Sequence, residues 1–550
     1  MIKKWWHTSV IYQIYPKSFK AGRPDTSIGD LKGVIQKLDY IKRLGADVIW
    51  LCPVYQSPQI DNGYDISDYY SISPEYGTME DFEQLIEACK NRGIRLIMDL
   101  VVNHTSDQHH WFQQALQAKD NPFRDYYIWR DPIKGGVPNE LQSNFGGAAW
   151  KWHAETDQYY LHFYSDAQPD LNWSNQKLRH DIYDMMNFWI DKGVSGFRMD
   201  VIDLIGKDPD HQIKENGPML HPYLQEMYEH TFGSHDLLTV GETWGATPEN
   251  APLYSDPERQ ELSMVFQFEH LQLDKIPGKQ RWDVQPLVLT ELKRVLNTWQ
   301  TALHSNGWNS LFWNNHDLPR IVSRWGNDQE FRVESAKMLA TLLHGMQGTP
   351  YIYQGEEIGM TNAAYASLAD YKDIETQNIY RERIKKGFSH EQTMAAIRLK
   401  ARDNARTPMQ WNRDRHAGFS DATPWMKLNE NHEDINVEQA LHDPDSIFYH
   451  YQALIALRKK HDVLVYGSFR LILEQHEQVF AYERHFQGKT LVVVCNFYEQ
   501  PVSIVFPGAE KRIILSSNYK DSSVELEDVY LRPYEAIMYL EKRGESGNED

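Results

Sequence analysis

Short apolar runs bounded by turn residues recur along most of the chain, separated by stretches whose apolar positions fall three and four residues apart. Runs of the first kind read as strands buried on both faces and stretches of the second kind as amphipathic helices, so their alternation predicts parallel strands joined by helical crossovers. Strands are expected near 10–15, 47–53, 95–102, 196–201, 238–241, 264–268, 310–313 and 351–353. Eight such units in succession predict an α/β fold closed into a (β/α)8 TIM barrel. A helix expected over 81–92 puts Phe82, Leu85, Ile86 and Cys89 on one stripe, and Gly93 ends it.

The rhythm breaks twice. Between the third and fourth strands lies a stretch rich in Trp, Tyr, Gly, Asn and Gln that is too long for a plain crossover, which predicts a small domain inserted after the third strand. After a last helical pattern over 447–460, alternating runs at 478–482 and 490–495 predict a C-terminal antiparallel β domain of sandwich type. The expected division is a barrel over 1–103 and 174–465, an inserted domain over 104–173 and a C-terminal domain over 466–550, with 544–550 as a frayed tail.

Composition narrows the class of partner. Hydrophobic content of 41% with 13% aromatics excludes a disordered chain, and the 17 Trp and 31 Tyr suit sugar rings, whose C–H faces pack on aromatic planes, as well as an ordinary large core. A formal charge of −20 repels phosphate backbones and anionic lipid, so neither nucleic acid nor a membrane is an expected partner, and a neutral substrate fits better. Cys52, Cys89 and Cys495 are odd in number and far apart, which reads as reduced core thiols and not as a disulfide framework or a metal knuckle. No signal-length apolar stretch opens the chain and no long apolar span follows, so the expected compartment is the cytoplasm.

Polar residues gather where several of the predicted strands end: Asn103 and His104 after the third, Arg198 and Asp200 on the fourth, Glu242 after the fifth, His316 and Asp317 beyond the seventh. In a barrel these ends converge on one face, where the loops build the active site. Arg198 and Asp200 are two apart on a strand and share a side, so the cation favours an ionised, nucleophilic Asp200 and leaves Glu242 as the proton donor. Two carboxyl groups flanking a glycosidic bond are the minimum for its hydrolysis, and a third can bind sugar hydroxyls. Isolated strand-end acids also serve as helix caps, and His104 and His316 with carboxylates are potential zinc ligands. The joint pattern favours glycoside chemistry, since there is no HExxH and no compact ligand set.

Those same segments resemble the α-amylase superfamily, glycoside hydrolase family thirteen, over essentially the whole chain. Its signature regions correspond to DLVVNH at 99–104, GFRMD at 196–200, GET ending at 243 and NNHD at 314–317. The resemblance implies Asp200 as nucleophile, Glu242 as acid/base and Asp317 as transition-state stabiliser, with Arg198, His104 and His316 lining the glucose subsite, in a retaining mechanism. The opening WWHTSVIYQIYPKSF, DNGYDISDY from Asp61, QPDLNW from Gln168, RDNARTPMQW from Arg402 and GTPYIYQGEEIGM from Gly348 look like the oligo-1,6-glucosidase branch. In that branch Val after the nucleophile, here Val201, goes with α-1,6 cleavage. Asp61 and Arg406 match residues that close the pocket on a terminal glucose, with Tyr64, Tyr164 and Gln168 beside it. The run GETWGATPE looks most like the dextran glucosidase (glucan 1,6-α-glucosidase) group and places Trp244 over the next sugar, with a mouth open to longer isomaltooligosaccharides.

The calcium loop of many relatives is degraded here to KAGRPDTSIGD at 20–30, with only Asp25 and Asp30 as acids, so no calcium and no other cofactor is expected. Pro24 is expected to stiffen that loop. A monomer is expected. The nearest alternative is a trehalose-6-phosphate hydrolase, for which Lys275 and Lys279 would be the phosphate-facing cations. Sucrose isomerases carry an Arg-rich stretch where this chain has LQLDKIPGK, and the non-catalytic barrel subunits of transporters lack the three carboxylates this chain keeps.

Overall fold

The computed structural model describes residues 3–505, 512–523 and 529–541. The expected tail at 544–550 lies outside the described residues. Eight parallel strands form one sheet: β1 (Ile11–Ile14), β2 (Val48–Leu51), β3 (Arg95–Leu100), β4 (Gly196–Met199), β5 (Leu238–Glu242), β6 (Met264–Phe266), β7 (Ser310–Leu311) and β8 (Thr349–Tyr353). Neighbours pair in chain order from β1 to β6, β8 pairs with both β1 and β7, and a parallel bridge from Val265 to Asn309 closes the cylinder. Apart from Arg95, every residue of these strands is buried, which is why they read as unbroken apolar runs and not as alternating ones. Inside the barrel Tyr351 meets Trp50 and Phe266 edge to face, and Trp50 and Phe266 pack in a tilted pair.

The helix expected over 81–92 runs from Met79 to Asn91. It starts earlier because Thr78 and Asp81 close a reciprocal capping box, and it buries Phe82, Leu85 and Cys89. Gly93 follows with a positive φ of 64°, the conformation that a helix exit asks of glycine. The last long helix spans Ile447–Lys460, and a short helix, Asp462–Tyr466, leads into the C-terminal sheets.

Within the insertion, strands Trp129–Arg130, Trp150–His153 and Gln158–Leu161 form a three-stranded antiparallel sheet. Its core residues Ile128, Ala149, Trp150, Leu161 and Phe163 pack on Val201 and Leu204, just beyond β4. The inserted unit thus leans on the chain that leaves the fourth strand. The C-terminal region carries a five-stranded sheet and a two-stranded partner. Alternation divides its strands cleanly: Phe480, Tyr482, Leu491, Val493 and Met538 join the barrel core, whereas Val479, Ala481, Val492, Val494 and Ile537 face the smaller sheet. Cys52, Cys89 and Cys495 are free and buried. Among the described residues no helix is long and apolar enough to cross a membrane.

Candidate active site

At the C-terminal ends of the strands the loops enclose a cavity of about 800 Å³. Period-two alternation on β4 turns Arg198 inward, and its guanidinium collects carboxylates from three successive strand ends. Nη1 donates to Asp99 Oδ1 at 2.7 Å and to Asp200 Oδ1 at 2.8 Å, while Nη2 donates to Glu242 Oε2 at 2.6 Å. Asp99 is held from behind by Trp50 Nε1 at 2.9 Å and the Tyr64 hydroxyl at 3.0 Å. Glu242 is clasped further by Val201 N at 3.1 Å and by Trp244 Nε1 at 3.1 Å. Val201 makes its bond from a left-handed backbone, φ 38° and ψ 45°, a conformation that costs a β-branched residue about 1–3 kcal/mol. The packing of the inserted domain on the Val201 side chain holds that strain in place.

Across the cavity stands a second cluster. Asp317 Oδ1 accepts from Arg406 Nη2 at 2.6 Å and from Arg402 Nη1 at 3.2 Å, and its Oδ2 lies 3.2 Å from His316 Nε2. His316 is fixed by Gln13 Nε2 at 2.8 Å and by the Tyr64 ring, stacked at 5.2 Å and 8°. Arg402 Nη2 also bonds Asp61 Oδ1 at 3.2 Å and Asp373 Oδ1. Gln168 Nε2 reaches the other oxygen of Asp61 at 3.2 Å and lies 3.3 Å from His104 Nε2, whose ring tilts against Tyr164.

Electrostatics separate these acids. Burial raises the proton affinity of Asp200 well above the ordinary carboxylate range; Arg198 opposes the rise, and the charges of Glu242 and Asp99 add to it. One guanidinium among three carboxylates is a weaker counter-charge than the exclusive Arg198–Asp200 pairing that strand alternation alone implies. Asp317 goes the other way: burial would raise it, but His316, Arg402, Arg406 and Arg198 together hold it far below its usual value. Burial pushes Asp61 up to about 7 against the pull of Arg402 and Arg406.

Asp61, Tyr64, His104, Tyr164, Asp200, Val201, Glu242, Trp244 and Asp317 all line the cavity. Arg198, His316, Arg406 and Gln168 stand buried just behind that lining and orient it. Trp244 is 39% exposed at the mouth and stacks on Phe268 at 3.9 Å and 8°. Sequence reasoning passed over Asp99 and Arg402, although both open motifs it singled out; charge inside a motif was the available signal. Asp373 and Glu375, which pair with Arg402, carried no local signal at all.

In the loop at 20–30, Asp30 caps the helix Leu31–Gln36 through Gly33 N and also accepts from Gly22 N, Arg23 N and Arg23 Nε. Lys20 Nζ donates to the carbonyls of Gly418 and Phe419 at 3.0 and 3.2 Å. Protein cations thus already pair with this loop's acid and with nearby carbonyls. Among the described residues no group of three or more His, Cys, Asp or Glu is placed to hold a metal.

A family model for the α-amylase catalytic domain matches residues 13–467, and one for the C-terminal domain of the α-amylase SusG matches 479–538. The chain is 54% identical to an oligo-1,6-glucosidase of Halalkalibacterium halodurans, covering 98% of this chain and 100% of that one. It is 55% identical to a glucan 1,6-α-glucosidase of Streptococcus pneumoniae, covering 98% and 99%. The crystal structure of a trehalose-6-phosphate hydrolase from Bacillus licheniformis superposes with a TM-score of 0.94 at 47% identity, covering 98% and 100%. By the match over residues 13–467 and the identity to these relatives across nearly the whole chain, the chain belongs to the α-amylase family of glycoside hydrolases.

Proposed function

We propose that this protein is a retaining, exo-acting α-glucosidase that hydrolyses α-1,6 bonds at the non-reducing ends of isomaltooligosaccharides and dextran fragments, releasing α-glucose. The observation that carries the reading is the binding of Asp200 and Glu242 to one guanidinium at the cavity floor, facing Asp317. Such an arrangement keeps the two carboxyls close, as a covalent retaining mechanism requires. In this reading Glu242 protonates the glycosidic oxygen while Asp200 attacks the anomeric carbon, and the bond to the leaving sugar breaks as the glucosyl ester forms. Glu242 then takes a proton from water, which attacks the same carbon and frees Asp200. Asp317, kept ionised by its cations, receives sugar hydroxyls and stabilises the positive charge that develops on the ring.

Exo action is supported by Asp61, a cavity-lining acid held by Arg402 and Gln168 and matching the residue that binds a terminal glucose in the branch, and α-1,6 preference by Val201 and by the activities named for the relatives. The chemistry needs only water and carboxyl groups, so the reading includes no cofactor. It includes a cytoplasmic monomer acting on a neutral oligosaccharide, without nucleic-acid or membrane partners; light scattering on a size-exclusion column tests the monomer. The test of activity is glucose release, with EDTA present, from isomaltotriose, panose, maltose, sucrose and trehalose-6-phosphate in parallel. Rapid release from isomaltotriose with little from maltose is the expected result.

Trehalose-6-phosphate is the second candidate because Lys275 lines the cavity without an ion pair among the described residues, while Lys279 lies outside the lining. Against it, Glu215, Glu249 and Glu269 line the same region, and Arg324 and Lys400 are both spent on Asp274. Preference for that substrate would overturn the α-1,6 assignment and leave the carboxylate roles standing.

A further inference from the structure

Asp203 lies three residues beyond Asp200, fully buried yet lining the cavity. Its Oδ2 accepts from Gly245 N at 2.8 Å, and its Oδ1 is buried with no hydrogen-bond partner. The turn it grips is the one that carries Trp244. Asn216 N bonds the Asp203 carbonyl at 3.0 Å, and the Asn216 and Asn250 side chains donate to Gly245 O at 2.8 and 3.1 Å. A Cβ at Gly245 would meet Asn216 Nδ2 at 2.4 Å, so the turn is seated closely on this segment. Trp244 in turn donates to Glu242 Oε1.

We infer that Asp203 is a positioning residue for the proton donor: its carboxyl anchors the Trp244–Gly245 turn, and the anchored indole fixes the orientation of the Glu242 carboxyl. The inference rests on the reading of Glu242 as acid/base. The anchoring carboxyl is itself buried, with only one of its two oxygens satisfied. Burial lifts Asp203 to about 8, helped by the charges of Glu215 and Glu242 and opposed by the Gly245 N–H. Lys214, Tyr164 and Tyr254 are the other titratable groups in electrostatic contact with it. Below that value a neutral acid accepts from Gly245 through its carbonyl oxygen. Above it the ionised carboxyl accepts the same bond.

The experiment compares a leaving group that needs a proton with one that does not. Single-turnover release of fluoride from α-glucosyl fluoride is set beside glucose release from isomaltotriose, for the parent, Asp203→Ala, Asp203→Asn and Glu242→Gln. Loss of a positioned acid costs the isomaltotriose reaction about tenfold or more in Asp203→Ala while fluoride release stays within about twofold, because fluoride departs without general-acid help. Asp203→Asn keeps an acceptor for Gly245 N, so it should restore near-parent release from isomaltotriose at pH 6. Equal loss on both substrates in Asp203→Ala, or a loss in Asp203→Asn as large as in Asp203→Ala, would overturn the inference. Glu242→Gln separates the two failures: if it lacks the leaving-group dependence, the acid/base reading itself falls.

Discussion

Replacing Arg402 by methionine removes the cation shared by Asp61, Asp317 and Asp373 while roughly keeping the length of the side chain. At the 3.2 Å separation of Arg402 and Asp61, unit charges attract by about 5 kcal/mol at an effective dielectric near 20. Asp61 stands at about 7 with both Arg402 and Arg406 lowering it. If only a quarter of that attraction is lost after relaxation, its proton affinity rises by about one pH unit. At pH 6.5 the ionised fraction then falls from about one quarter to about 3%, roughly an eightfold loss of the form that accepts hydrogen bonds from glucose hydroxyls. The assay is kcat/KM for isomaltotriose from pH 5 to 9, which reports ionisations of the free enzyme. The expected result is an acid limb near 7 in the parent that moves upward by at least one unit, with kcat/KM at pH 6.5 down about tenfold. Arg402→Lys, which restores the charge without the fork, should bring the limb most of the way back. Stability moves in the same sense. The raised Asp61 contributes stability fully below the unfolded carboxylate value and loses it as pH rises through 7, while the depressed Asp317 and Asp373 contribute above that value. Loss of Arg402 worsens all three at high pH, so the gap in melting temperature from the parent widens between pH 5 and 8. An acid limb that stays in place in Arg402→Met would refute the coupling.

Asp200→Ala is expected to lower turnover by about 10⁴-fold or more with an unchanged or slightly raised melting temperature, since it removes a buried acid held above its ordinary proton affinity. Substantial activity in a verified pure sample would remove Asp200 from the nucleophile role. Trp244→Ala deletes the exposed indole stacked on Phe268 and should raise KM for isomaltotriose about fivefold. A KM unchanged for isomaltotriose and isomaltohexaose alike would place the leaving sugars elsewhere. Because Lys20 and Arg23 already supply the positive charge of the loop at 20–30, melting curves with EDTA and with added calcium are expected to coincide; a drop of several degrees with EDTA would reveal a bound cation.

What the sequence by itself determined is the part of the molecule set by local period and local chemistry. Parallel strands covered on both faces must be apolar throughout, so all eight announced themselves as runs, and the closing helix over 447–460 was legible in its spacing. Alternation on β4 placed Arg198 beside Asp200, and strand-end acids, together with the motifs around them, marked Asp200, Glu242 and Asp317. Boundaries were less legible where a cap decides them, as at Thr78. Only the tertiary structure decided how charge is shared. Arg198 serves three carboxylates because β3, β4 and β5 are neighbours in the closed barrel. Arg402 meets Asp61, more than three hundred positions earlier, only because the loop after the eighth strand folds back over the mouth. The strain at Val201 and the grip of Asp203 on Gly245 belong to the same class. Periodicity records which face of an element is buried; long-range polar contacts depend on which loops meet, and no local pattern encodes that.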